Sequence, residues 1–337
     1  MKTLTIIGMA LILSACHVAV AQNQVETARL SPEVRTAIDK GLAFLASRQS
    51  DDGHFESRSP GSAGPAVAGT AVALMAFMVQ GNVPGRGEHG KTMDAAIDYL
   101  LKVGEKQTGY LGQSMYEHGL GTLALSEAWG HSKNNKIRDV LRAAVDVILR
   151  SQNGEGGWRY TPQPTSADLS VTVMQLVALN SAKEAGIAVP DLTIRKAVGY
   201  VLKCWNPIGG GFLYQPGSGE ENPRFATTAA GVMSLIMSGE REHARTRQGL
   251  AILAAYPDAK FKTSKGYFLY AHYYAVQDMY QAGDKFFQPW YPKIAATLVN
   301  EQWKDGSWHI GDAPIFDTGI AIMILGVPYR FVPIYQR

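Results

Sequence analysis

Residues that can transfer protons recur where apolar helices are predicted to begin. The candidate catalytic residues are Glu117, His118, Asp168, His272 and Asp317. Carboxylates and imidazoles act as general acids and bases when burial or a neighbouring charge brings their pKa close to the working pH. Candidate ligand-binding residues lie nearby in the sequence, namely Tyr116, Arg224, Tyr270 and His309. If the fold brings the starts of these helices together, we expect these residues to form one polar site.

Two His and Asp pairs follow if the helices form a ring of six units. His118 is then predicted to neighbour Asp168, and His272 to neighbour Asp317, so that each carboxylate orients an imidazole as a general base. We favour the first pair because Glu117 adds an acid at the same place. The structural alternative stays open, since Asp is a preferred helix N-cap and histidines near helix ends commonly bond to the backbone.

Glycine turns of one pattern indicate how these helix starts are positioned. Gln49 to Phe55, Gln152 to Trp158 and Gln302 to Trp308 all read as glutamine, three residues, glycine, one residue and an aromatic. Three further glycine and aromatic pairs occupy comparable places between predicted helices, at Gly109-Tyr110, Gly211-Phe212 and Gly266-Tyr267. Such recurrence predicts six repeated helix, turn and helix units.

The two helices of each unit differ in composition. The first has a charged face, as in RDVLRAAVDVILR, whereas the second is apolar nearly all round, as in AGTAVALMAFM. An amphipathic helix belongs on a surface and an all-apolar one inside. We therefore predict an all-α fold, a single α/α toroid of six outer and six inner helices. All six inner helices then begin at one mouth.

The turns resemble the repeats of squalene and terpene cyclases and of protein prenyltransferase β-subunits. The resemblance rests on the glutamine, glycine and aromatic pattern followed by a small-residue helix, and it covers about Ser31 to Leu325. It implies the α/α toroid and a central cavity that binds a ligand, with activity of the terpene cyclase kind. Complement-type thioester domains and some polysaccharide-degrading enzymes share this toroid, so function must be argued from the site.

The motifs that carry chemistry in these families are missing. Class II terpene cyclases protonate their substrate from a DxDD motif, and the nearest segment is Ser166-Ala167-Asp168-Leu169. Tyr270 to Tyr274 resembles the histidine segment of the zinc-dependent prenyltransferases, but Phe225 to Val232 contains neither the aspartate nor the cysteine. Cys204 lies in KCWNP rather than in a thioester motif. We expect no metal and no cofactor.

Composition and charge narrow the class of partner. The chain has 337 residues, of which 46% are hydrophobic and 18% charged, with a formal net charge of +3. That charge is too small and too scattered for nucleic acid. Outside Cys16 the chain has one cysteine, Cys204, so no intrachain disulfide is expected after processing.

The first residues are typical of an export signal. Lys2 precedes an apolar run, and Ala19-Val20-Ala21 resembles a signal peptidase site, which predicts a signal peptide over 1–21, a leader over 22–30 and the toroid over 31–337. Leu13-Ser14-Ala15-Cys16 also resembles a lipobox, which would attach Cys16 to a membrane through lipid. Either alternative predicts a periplasmic or extracellular protein.

We therefore predict an exported toroid that binds an apolar terpenoid-like or lipid-like ligand, or a carbohydrate, in its central cavity. One alternative is a non-catalytic binding or scaffold module. Another is a polysaccharide lyase or hydrolase, which export and an aromatic, acidic mouth favour.

Overall fold

A computed structural model describes residues 30–56, 64–132, 134–217, 223–257, 261, 267–311 and 313–329. The predicted signal peptide, Cys16 and nearly all of the leader lie outside these residues, as does Gly266. Within these ranges twelve α-helices alternate between an outer and an inner layer. The outer helices are α1 (Pro32–Ala46), α3 (Gly90–Lys106), α5 (Asn135–Arg150), α7 (Asp191–Lys203), α9 (Ala244–Ala254) and α11 (Asp284–Glu301). The inner helices are α2 (Val67–Val79), α4 (Met115–His131), α6 (Leu169–Glu184), α8 (Phe225–Met237), α10 (Phe268–Ala282) and α12 (Pro314–Gly326).

The inner helices form a closed ring. Each packs against the next, and α12 packs against α2 to complete the circle, while the outer helices cover the ring from outside. The described residues contain no strand, and their β-structure is limited to two isolated bridges, Trp158 with Asp168 and Trp205 with Phe212. The prediction of an all-α toroid of six helix pairs is confirmed.

Burial explains the two layers. In α2 every residue except Ala68 is buried, as expected of a helix that is apolar all round. In α5 the buried residues fall on one stripe that includes Ile137, Leu141 and Ile148, and the charged residues face outward. The hydrophobic pattern of each helix therefore determines its layer.

The glutamine of the repeated turn joins neighbouring units. Gln49 Nε2 donates to the carbonyl of Gly53 in its own turn and to that of Thr92 in α3. Gln152 makes the same two bonds, to Gly156 and to Thr193 in α7. In both cases one amide group fixes the turn and ties it to the next outer helix.

The turn glycines bring backbone against backbone. Gly53, Gly156 and Gly306 all have positive φ, near +90°. A Cβ on Gly306 would lie 2.4 Å from the carbonyl oxygen of Lys40 in α1. No other residue type fits this conformation and this contact without strain.

Most helix limits lie within three residues of those that the apolar pattern of the sequence predicts, but one inner and one outer helix begin earlier. The pattern predicts that α10 starts at His272, whereas it begins at Phe268. The pattern predicts that α11 starts at Trp290, whereas it begins at Asp284 and continues through Pro289 and Pro292. A proline inside a helix removes a backbone donor. The burial of Phe287 and Trp290 keeps the extra turns folded against the ring.

None of the described helices is both long enough and apolar enough to span a bilayer.

Candidate functional site

A cavity of about 550 Å³ opens at the end of the ring where the inner helices begin. All six units contribute to its wall, as predicted for a shared mouth. The lining residues are Ala68, Ser114, Tyr116, Glu117, Tyr160, Ser170, Tyr214, Arg224, Ala226, Thr227, Tyr267, Tyr270 and Phe316. Five of these are tyrosines, so the wall combines aromatic surface with hydroxyl groups.

The structure brings together four of the predicted site residues. Tyr116, Glu117, Arg224 and Tyr270 all line the cavity. His118, Asp168, His272, Asp317 and His309 are not among the lining residues. The role of the four in ligand binding stays a prediction.

Tyr116 and Tyr270 are held at the floor of the cavity by packing. The rings of Tyr270 and Tyr274 meet edge to face at 5.0 Å. Burial raises the pKa of both Tyr116 and Tyr270 above the usual value for a phenol. Burial therefore favours the neutral phenol at both residues.

Glu117 stands in the first turn of α4, and Arg224 directly precedes α8. Ser114 caps α4 by accepting from the Glu117 backbone N–H at 3.3 Å, and the Glu117 carboxylate accepts from the Gln113 backbone N–H at 2.7 Å. A negative charge at this end of α4 is favourable for the helix. Among the described lining residues Glu117 is the single carboxylate and Arg224 the single cation.

His118 is a structural residue on the outer side of α4. Its Nδ1 accepts from the Leu111 backbone N–H, and its Nε2 donates to the Ala144 carbonyl, both at 3.0 Å. Burial lowers its pKa to about 4, so the imidazole is neutral. Since both ring nitrogens have backbone partners, the expected pair with Asp168 is not formed.

The place of His118 in the repeat explains this role. In other units a threonine in the first turns of the inner helix accepts from the backbone N–H of the turn aromatic, as Thr172 does from Trp158 and Thr318 from Trp308. His118, the fourth residue of α4, corresponds to Thr172, the fourth of α6. The imidazole therefore takes over the position of a structural hydroxyl.

His272 is enclosed by aromatic rings between α10 and α11. The rings of Phe268 and Trp290 lie 4.4 and 5.3 Å from the imidazole, with Phe225 and Phe261 also in contact. Its side chain is 1% exposed. The imidazole is therefore buried among aromatic rings and is not among the described residues that line the cavity, and its role as a catalytic residue stays a prediction.

Asp168 caps α6 behind the cavity wall. Its Oδ1 accepts from the Val171 backbone N–H at 2.9 Å and from Ser170 Oγ at 2.7 Å. Its Oδ2 lies 3.7 Å from Arg159 Nε. Burial raises its pKa, although these hydrogen bonds and the nearby Tyr214 hydroxyl and Arg159 lower it in part.

Asp317 and His309 support the loop before α12. Asp317 Oδ2 accepts from the Gly311 backbone N–H at 2.6 Å, and burial raises the pKa of this carboxyl. His309 stacks on Trp303 at 4.1 Å and its Nε2 contacts Ser307 Oγ at 2.8 Å.

Two tyrosines that the sequence analysis missed form part of the wall. The hydroxyls of Tyr160 and Tyr214 lie 3.2 Å apart. The backbone carbonyl of Tyr160 accepts from the Met115 N–H, and that of Tyr214 from the Leu169 N–H, so each loop is anchored to the start of the inner helix of the preceding unit. Each follows the turn aromatic by two positions, and this spacing is a signal that the sequence carries.

A third residue that the sequence did not point to is Asp278, in α10. It is fully buried, and neither carboxylate oxygen has a hydrogen-bond partner among the described residues. Burial raises its pKa well above the usual value for a carboxyl, because the neutral form is favoured away from water. In the described residues no cluster of His, Cys, Asp and Glu could hold a metal ion.

Comparison with known proteins supports the fold. No protein-family model matches the chain. Drimenyl diphosphate synthase from Streptomyces showdoensis is 25% identical over 209 residues, which cover 58% of this chain and 37% of that protein. The chain thus spans little more than a third of the curated relative it matches.

Solved structures with similar folds include glycoside hydrolases. An inactive variant of the GH76A α-1,6-mannanase of Salegentibacter sp. HEL1_6, in complex with α-1,6-mannotriose, has a TM-score of 0.68 at 8% identity and covers 88% of this chain and 99% of its own. A type II terpene cyclase from Scytonema has a TM-score of 0.44 at 13% identity and covers 89% of this chain and 98% of its own. The resemblance predicted from the glycine turns is confirmed for the fold: this chain is an α/α toroid, like the mannanase, and its sequence matches a terpene synthase over part of its length.

Proposed function

We propose that the protein binds an oligosaccharide in the cavity at the mouth of the toroid. The observation that carries the proposal is the convergence of five tyrosines, Ser170, Glu117 and Arg224 on one open cavity of about 550 Å³. Aromatic faces pack against the apolar faces of sugar rings, while convergent polar groups fix their orientation. The similar fold of a mannanase that holds α-1,6-mannotriose supports this ligand class.

The carboxylates near the cavity favour a protein that binds the oligosaccharide without hydrolysing it. Glycosidases use two carboxyl groups on either side of the scissile bond. That mannanase is inactive when two neighbouring aspartates are replaced. In this sequence adjacent aspartates occur once, at Asp51 and Asp52 in the first glycine turn, and neither lines the cavity. Among the described residues that line the cavity Glu117 is the single carboxylate, and one carboxylate cannot supply both roles.

A terpenoid ligand is the second candidate. Ala68, Ala226 and Phe316 give part of the wall an apolar character, and the partial match to drimenyl diphosphate synthase supports such a ligand. Cyclisation of the class II type is not proposed, because the sequence contains no DxDD motif.

Calorimetric titration of the purified protein decides between the candidates. The probes are α-1,6-mannotriose, cellotriose and xylotriose on one side, and farnesyl diphosphate and geranylgeraniol on the other. We expect sugar binding that Tyr267→Ala weakens about tenfold, equivalent to ~1.4 kcal/mol. Trp303→Ala is the matched control, since Trp303 is an exposed aromatic outside the cavity. Binding of the isoprenoids alone would establish the second candidate instead.

We also propose that the protein acts outside the cytoplasm, because residues 1–21 have the pattern of an export signal. Intact-mass measurement of exported protein should show a chain that begins at Gln22 or at a lipidated Cys16. A mass that includes residues 1–15 would contradict both alternatives.

A further inference from the structure

Three polar side chains of the first glycine turn are joined by hydrogen bonds. His54 Nδ1 lies 2.5 Å from Asp52 Oδ1, and His54 Nε2 lies 3.2 Å from Ser50 Oγ. The ring of Tyr99 packs beside the imidazole, with the two ring centres 5.3 Å apart. The hydroxyl, the imidazole and the carboxylate therefore stand in the order that activates a serine as a nucleophile.

The geometry of this group determines where its protons lie. The side chain of Asp52 is 57% exposed, and a carboxyl in contact with water is ionised at neutral pH. An ionised carboxylate only accepts hydrogen bonds, so the proton of the neutral imidazole is on Nδ1. Nε2 is then an acceptor, and the Ser50 hydroxyl donates to it. In this arrangement His54 can act as a general base toward Ser50.

The group is accessible from solvent and separate from the cavity. The side chain of His54 is 24% exposed, and Ser50 is half-buried. Ser50, Asp52 and His54 are not among the described residues that line the cavity at the mouth. A reagent can therefore reach the serine without entering the cavity.

The backbone of the turn does not depend on these three side chains. The Ser50 backbone N–H donates to the His54 carbonyl at 2.9 Å. The same backbone bond joins two corresponding pairs in other units, Asn153 with Gly157 and Trp303 with Ser307. Because those turns form with other residue types, substitutions at Ser50 and His54 should leave the fold intact.

Unit six contains the same three residue types in a different order. Ser307 Oγ donates to Asp305 Oδ1 at 2.6 Å, and His309 Nε2 contacts Ser307 Oγ at 2.8 Å. The serine there lies between the carboxylate and the imidazole, and it is fully buried. Its proton is directed to the carboxylate, so His309 does not activate it. Ser307 is therefore an internal comparison for Ser50.

We propose that Ser50, His54 and Asp52 form a second site, which hydrolyses small carboxylic esters through an acyl-serine. Ser50 and His54 are the catalytic residues, and Asp52 is the positioning residue that orients the imidazole. A small acyl group is expected because the site lies on a partly exposed turn. This activity is independent of the ligand that the cavity binds.

The reaction takes place in two steps. Ser50 Oγ forms a bond to the carbonyl carbon of the ester while its proton passes to His54 Nε2. The bond from that carbon to the alkoxy oxygen then breaks, and the alcohol leaves with this proton. Water next attacks the acyl-serine with His54 as the base, which releases the carboxylic acid and restores the Ser50 hydroxyl.

Labelling with a fluorophosphonate, which reacts with activated serines, tests the site. We expect about one adduct per chain, which peptide mass spectrometry locates at Ser50 and not at Ser307. The adduct should be lost in Ser50→Ala, and the labelling rate should fall about a hundredfold in His54→Gln and Asp52→Asn. Asp52→Glu should recover part of the rate, since unit three has Glu155 at the corresponding position. Release of p-nitrophenolate from p-nitrophenyl acetate should follow the same order.

Asp51→Asn is the matched control, because it removes a negative charge from the same turn while the bond between Asp52 and His54 stays. It should label at the rate of the unmodified protein, and all the variants should keep its melting temperature. The lack of an adduct at Ser50 in the unmodified protein overturns the proposal. Labelling that is equally fast in His54→Gln and in the unmodified protein overturns it as well. Neither result changes the calorimetric test of the cavity, so the two proposals can fail separately.

Discussion

The side-chain amide of Gln302 donates to the backbone carbonyl of Ala37 at 2.8 Å, although the two residues are 265 positions apart. The same amide donates to Gly306 at 2.9 Å in its own turn. This repeats the bonds of Gln49 and Gln152 and joins the sixth unit to the first.

We expect Gln302→Ala to lower the free energy of unfolding by roughly 1–3 kcal/mol, because two carbonyls lose their donor. Urea denaturation measures the change. Gln152→Ala removes the corresponding bonds at an internal joint. If Gln302→Ala leaves the unfolding midpoint unchanged, the bond does not contribute to closure of the ring.

Gly306→Ala should lower the free energy of unfolding more than the substitution of a glycine that has free space around it. The φ of +90° and the 2.4 Å approach of a new Cβ to the Lys40 carbonyl both require the backbone to shift. The expected cost exceeds roughly 1 kcal/mol. Gly199→Ala in α7 is the control, since nothing lies within 4 Å of its Cβ position and alanine favours a helix. Equal melting temperatures for the two variants would show that alanine at position 306 introduces no backbone strain.

His118 should affect stability and its dependence on pH, with no direct role in ligand binding. Its pKa is lowered to about 4 in the folded chain. Between the ordinary histidine pKa near 6.5 and this value the unfolded chain binds more protons, so His118 reduces stability as the pH falls through that window. His118→Thr should lose this contribution and, by supplying the hydroxyl that other units use, destabilise less than His118→Ala. Unfolding curves between pH 4 and 7 provide the measurement, and parallel curves for His118→Thr and the unmodified protein would contradict it.

Asp278 should have the opposite effect to His118 on the pH dependence of stability. Because burial raises its pKa, the folded chain holds a proton that the unfolded chain releases above the ordinary aspartate pKa, and stability falls as the pH rises from that point. Asp278→Asn has no proton to hold. The variant should therefore gain stability relative to the unmodified protein as the pH is raised from 4 to 8. A constant difference across this range would show that the carboxyl is not kept neutral by the fold.

The toroid could be predicted because its determinants are local. Apolar and amphipathic helices alternate, and the turns at Gly53, Gly156 and Gly306 recur in one pattern. The shared mouth followed from that arrangement, and Tyr116 and Tyr270 were placed in the cavity. The start of α11 was not predicted, because the burial of Phe287 is a tertiary effect that outweighs the proline signal.

The individual site residues were harder to predict because side-chain direction depends on helix register. His118 follows Glu117 by one position, yet one points to the outer layer and the other to the cavity. Alignment with Thr172, and with Thr228, which accepts from the Phe212 backbone N–H in the same way, would have identified His118 as structural. The contact between Tyr160 and Tyr214 arises between loops of neighbouring units, and no single stretch of sequence contains it.

Closure of the ring through Gln302 and Ala37 has a consequence for evolution. An open solenoid has two ends and can gain or lose a repeat while its ends remain capped. A circle of six units has no ends, and removal of the first helix pair would leave α12 without its neighbour α2 and the Gln302 amide without the Ala37 carbonyl. Lineages of this fold are therefore expected to vary in loop length and in mouth residues while the number of helix pairs stays constant.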